Sequence, residues 1–260
     1  SVASRGLGDV YKRQVLSSAD VLALSTAQVQ AISTQQVLAL TSMQIATLET
    51  RDAAALSTSA IAALSTDQLI AIRSDQAQAL ATQQVVALAT AQLVALETAD
   101  FAALSTNSIA ALLTSQILAL TSNDIVALRT DQAVAITTRQ AVALDLSQIA
   151  AFETRDLASL STRSIAALTT AQVVALTTAQ SQALATQQIV ALGTAQIAAI
   201  ETPPDFSAFS TAAVAAFLTS QIVALTTQQV GALTTAQTVA LITQQLVALE
   251  SRDVAALSTS

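Results

Sequence analysis

The chain has 260 residues, 53% hydrophobic, 10% charged and 2% aromatic, with a formal net charge of −7 and neither Cys nor His. Lacking thiol and imidazole, it offers no disulfide, no thiol nucleophile, no imidazole base and almost no ordinary zinc, iron or copper site. The acidic balance argues against a nucleic-acid partner, since phosphate binding needs clustered Lys and Arg.

Residues 1–14 stand apart from the rest, holding the only Lys (Lys12), the only Tyr (Tyr11) and two of four Gly (Gly6, Gly8). Their string SRGLGDVYKRQ resembles the adapter-derived translation scar that begins many environmental cDNA-derived sequences. It is read as that, or else as a disordered tail, and set aside from the fold. Beyond Arg13 the balance is more acidic, seven Arg against sixteen Asp plus Glu, a net −9.

From Leu16 to Ile200 every eighth residue is Leu, Ile or Phe, which makes 23 repeats. One nine-residue unit, 201–209, follows, and six further repeats run to Leu257. So short a fixed period marks an array of identical units, each touching only its neighbours. Residues 15–260 are therefore expected to form one repeat solenoid. It is expected to be open at both ends and part of a longer parent array, since no initiator Met and no polar cap is present.

With the Leu as position eight, the unit reads S/T–T–x–Q–V/I–x–A–L, as in Thr169 to Leu176 (TTAQVVAL). A strand would put positions five and eight on opposite faces, whereas a helix puts them on one. Ala, Leu and Gln also favour helix. A continuous helix is excluded, because eight residues leave the apolar stripe rotated by about 80° per unit. The expected fold is all-α, a solenoid of short helices of about six residues, one per unit, each dependent on its neighbours. The nearly constant hydroxyl at position two (Thr26, Thr34, Ser42, Thr50, Thr58, Thr66; Leu146 is the exception) is read as the N-cap. A competing register makes position one the cap and Gln at position four its partner. The first is preferred, because position one also admits Glu, Arg, Ala, Leu and Gly. Pro203 then falls at the first helical position, and the Ala at position seven marks close contact between helices.

A longer period lies over the short one. Glu opens units at Glu49, Glu97, Glu153, Glu201 and Glu250, spaced 48, 56, 48 and 49 residues apart. Four of these units carry Asp at position four: Asp52, Asp100, Asp156 and Asp253. The units that follow those opened by Glu49, Glu97, Glu153 and Glu201 hold Ala60, Ser108, Ser164 and Ala213 at that position. Such a carboxylate ladder would suit a hard cation such as calcium. Charges favourable at helix starts, paired locally with Arg51 and Arg155, account for it better. No catalytic, cofactor or metal site is assigned. Phe206, Phe209 and Phe217, clustered at the nine-residue unit, are read as filling a gap; Phe101 and Phe152 are the remaining rings.

Two resemblances follow from the unit. Leu168 to Leu176 (LTTAQVVAL) is similar to the opening helix of transcription-activator-like effector repeats, which supports helix; the second helix and base-reading loop of that family are absent. Over Leu16–Ser260 the tract resembles those of very large secreted or surface bacterial proteins, of adhesin-like or haem-utilisation-like type. That resemblance implies an extracellular or cell-surface spacer, with other proteins as partners along its surface and neighbouring repeats of the parent chain at its ends. Haem ligation would need Met43 or Tyr11 and is not expected. No enzyme, no cofactor and no membrane insertion is expected either. The alternative function is ice or crystal-surface binding through a regular Thr/Ser array, opposed by the inward turn expected of capping hydroxyls.

Overall fold

The computed structural model describes residues 16–200, 206–249 and 251–257. Among these, 29 helices of five to seven residues and no strand are found, from α1 (Ser18–Leu22) to α29 (Ser251–Leu257). Each helix occupies one octapeptide, as the 3-residue apolar spacing within each unit requires. Pro203 and residues 1–14 lie outside the described residues.

The chain breaks at positions eight and one, not at position two. Leu48, at position eight, leaves the helix with φ −55° and ψ 138°, and Glu49, at position one, stays extended with φ −66° and ψ 151°. Helix resumes at Thr50. The preferred cap register is therefore corrected: the cap is position one, as at Ser25, Thr137 and Thr169. The tolerance of position one has a simple physical reason. Gln at position four accepts the backbone N–H of position one, so that bond survives whatever side chain stands there. It forms at Ala81 (2.7 Å), Leu113 (2.9 Å) and Gly193 (2.6 Å) just as at Thr169 (2.8 Å).

Each helix packs against the helix three units further on, α1 on α4 (Ser42–Thr47) and so on along the coil. Side-chain bonds fix the pitch more closely. Position-four Gln side chains reach carbonyls 28 residues earlier, and position-two hydroxyls reach Asp 26 residues later. One turn thus holds more than three and fewer than four units, a quantity the repeat length alone leaves open.

Positions five and eight form one continuous core along the axis, from Val21 to Leu249. Position-seven Ala residues such as Ala63, Ala103 and Ala143 are half-buried against it. Positions one to three face outward, which places the polar half of every unit in water. The extra residue of 201–209 is taken up without loss of register. Gln221 and Gln229 each bond carbonyls 29 and 32 residues back, one more than the regular 28 and 31, and Gln237 returns to 28. Phe206, Phe209 and Phe217 pack together there with ring centroids 5.7–6.2 Å apart. All three are buried, as are Phe101 and Phe152.

Candidate functional site

Position four is where the fold spends its polar groups. Gln140 shows the pattern: its Oε1 accepts from the Thr137 N–H and hydroxyl, both at 2.9 Å. Its Nε2 donates to the carbonyls of Ile109 (2.8 Å) and Leu112 (2.9 Å), four units earlier. Gln68, Gln76, Gln148 and Gln180 do the same. These side chains are buried, and each ties a helix start to the end of a helix one turn below. A short helix leaves its last carbonyls without partners; here the next turn supplies a donor. Every one of these bonds replaces a buried unpaired group costing about 1–3 kcal/mol.

This ladder was hidden from a reading that took Gln as a helix former or capping partner. The available signal is exclusion: position four holds Gln, Asp, Ser or Ala in every regular unit, and never Lys, Arg or Glu. An exposed helical position would admit those long charged residues.

The acidic units interrupt the ladder. Asp52, Asp100, Asp156 and Asp253 are buried, while Glu49, Glu97 and Glu153 are exposed N-caps without a side-chain cap bond. Glu201 and Glu250 lie outside the described residues. Asp is one methylene shorter than Gln and acts as an acceptor. Each takes the position-two hydroxyl three units earlier: Thr26 (2.8 Å), Ser74 (2.6 Å), Thr130 (2.6 Å) and Thr227 (2.9 Å). Arg51 and Arg155 pair with Glu49 (3.0 Å) and Glu153 (3.4 Å) and lie 3.7 and 3.3 Å from Asp52 and Asp156. The local pairing expected of these arginines is present. Asp156 Oδ2 is buried without a hydrogen-bond partner.

Burial pushes the Asp100 carboxyl above its ordinary range; the Ser74 hydroxyl pulls it down, and Glu97 and Asp75 push it further up. The exposed carboxylates behave oppositely. Hydrogen bonds from Arg73 to Asp75, from Arg129 to Asp131 and from Ser147 to Asp145 hold each below the ordinary range.

Among the described residues, no three His, Cys, Asp or Glu side chains gather as a metal site would require. Met43 is 72% exposed at position three, without the enclosure a haem iron needs; Tyr11 lies outside the described residues. No helix among the described residues is long and apolar enough to cross a membrane.

A family model described as the ALTTAQ repeat matches residues 14–50, 45–82, 93–130, 149–186 and 197–235, more than half of the chain. No curated protein matches it.

Proposed function

The chain belongs to the ALTTAQ-repeat family, and from that premise we propose that it is a non-catalytic spacer, a scaffold segment of a large repetitive bacterial protein that is secreted or carried on the cell surface. The observation that supports this most is the ladder. The repeated buried polar group is consumed in joining one turn to the next, so the unit's chemistry serves length and stiffness. Other proteins are the partners expected along its outer face.

A spacer tolerates changes in length by whole units, because each unit's contacts and bonds reach no further than the adjoining turn, three to four units away. Removing residues 113–144, four complete units, brings position-four Gln side chains into register with a new set of carbonyls. Circular dichroism should remain fully helical, and small-angle scattering should show a particle shortened in proportion to the units removed. Collapse of the remaining helicity, or a binding activity confined to the deleted segment, would count against a spacer.

Ice or crystal binding is the second reading. The corrected cap register favours it in one respect: position-two hydroxyls such as Thr138, Thr170 and Thr194 are exposed, where capping would have turned them inward. Against it, a turn of more than three and fewer than four units does not stack these hydroxyls in straight rows. An ice-recrystallisation assay on the chain decides the matter, and absence of inhibition would remove this reading.

A further inference from the structure

We propose that Asp100 makes the packing of α11 (Thr98–Ala103) on α8 (Ser74–Ala79) an acid-tightened joint, closed when its carboxyl is neutral and loosened when it is ionised. The argument starts from its place in the ladder. At this position Gln presents a donor to the carbonyl 28 residues earlier; at Asp100 an acid one methylene shorter takes that place. An ionised carboxylate has nothing to donate. Its hydrogen-bond donor is the Ser74 hydroxyl at 2.6 Å, and the side chain is buried.

The neighbouring charges give no relief. Asp52 and Asp156 each have an Arg beside them, but position three of this unit is Ala99. Glu97 stands at the N-cap of the same helix. On α8 the facing charge is Asp75, and the nearby Arg73 is engaged with Asp75 at 3.0 Å through two nitrogens. The helix packed on the other side, α14 (Ser122–Val126), brings Asp124, whose Oδ2 accepts from Thr121. Arg129 bonds the Ala102 carbonyl of α11, and its guanidinium is paired with Asp131 at 3.0 Å. Asp100 is a buried acid among acids, with every nearby cation committed elsewhere.

Burial, opposed by Ser74 and reinforced by Glu97 and Asp75, raises the folded-state pKa above the unfolded one. The neutral form is then favoured by folding. Its contribution is fully present below the unfolded pKa and is lost as pH rises through the folded value. The exposed Asp75 and Asp131 have lowered values and the opposite sign, so the wild-type curve mixes both. A difference between variants isolates Asp100.

The experiment compares urea unfolding midpoints of the full chain and Asp100→Asn between about pH 3 and pH 7, spanning the ordinary Asp value of about 3.9. Asn mimics the neutral carboxyl, so the variant should gain on the wild type steadily as pH rises. Near the acid end the two should converge. A gap independent of pH, or a wild type more stable at neutral pH, overturns the proposal. Should the variant not fold, a carbon-detected NMR titration of Asp100 in the wild type decides. A midpoint above about 3.9 supports the joint, and one at or below it overturns the joint.

Discussion

Gln148→Glu should destabilise the solenoid by about 3–5 kcal/mol at neutral pH and recover most of that loss in acid. Gln148 is 1% exposed. Its Oε1 accepts from the Asp145 N–H at 2.8 Å, and its Nε2 donates to the carbonyls of Ile117 (2.8 Å) and Leu120 (2.7 Å). Glu has the same length and retains the acceptor. It puts a charged oxygen where the donor stood, aimed at two carbonyl oxygens, with Asp145 close enough to accept from the Gln148 N–H at 2.7 Å. Nothing there is cationic. A protonated Glu restores one donor, so the folded-state pKa of the new carboxyl must lie above the unfolded value of about 4.3. Stability is then complete below that value and is lost as pH rises. Gln148→Leu provides the contrast. It leaves the carbonyls unpaired at a cost of about 1–3 kcal/mol, equal at both pH values. Denaturant titrations at acid and neutral pH separate the two. If Gln148→Glu matched the wild type at neutral pH, the ladder would not be what joins the turns.

What the sequence disclosed and what it withheld follow from the range of each interaction. The apolar spacing between positions five and eight is local, and it was enough to specify helix, its length and its restart in every unit. Position four acts across 28 residues, and no local pattern reveals where a Gln side chain ends. It appears in sequence only as a restriction, the absence of Lys, Arg and Glu. The cap register failed for the same reason. Ala81, Leu113 and Gly193 look disqualified as caps when only their own side chains are considered. Their N–H groups are in fact satisfied by Gln84, Gln116 and Gln196. The count of units per turn is likewise visible only in which carbonyls Gln meets on the turn below, which the eight-residue period does not encode. The acidic units were legible as helix-start charges and Arg pairs, which is half of what they are. Burial of Asp52, Asp100 and Asp156 becomes readable only once position four is known to face inward.

The nine-residue unit carries the other large effect. Phe206 stands three residues before Phe209, the spacing of positions five and eight, and is 0% exposed. Its ring lies edge-on to Phe209 at 5.7 Å and stacked with Phe217 at 6.2 Å. Phe206→Ala should cost about 3–5 kcal/mol, because neighbours that must also accommodate an extra residue have little freedom to close the cavity. Loss of the ring pairs adds about 0.5–1.5 kcal/mol for each contact beyond the buried area. In an array coupled only between adjoining turns the damage should be local. The units after Phe206 should then unfold ahead of those before it, giving a second transition in urea. Phe101→Ala is the control, the same truncation of a buried ring (1% exposed) at a regular unit, expected to cost about 3 kcal/mol, the low end of that range. Equal losses in the two variants, with a single transition in each, would mean that the three rings fill space no differently from any Val and Leu of the array. The insertion would then be tolerated because Gln221 and Gln229 keep their bonds to the turn below, with offsets of 29 and 32 in place of 28 and 31. A larger loss at Phe206 assigns that tolerance to the aromatic cluster, with the ladder following the backbone that the rings hold in place.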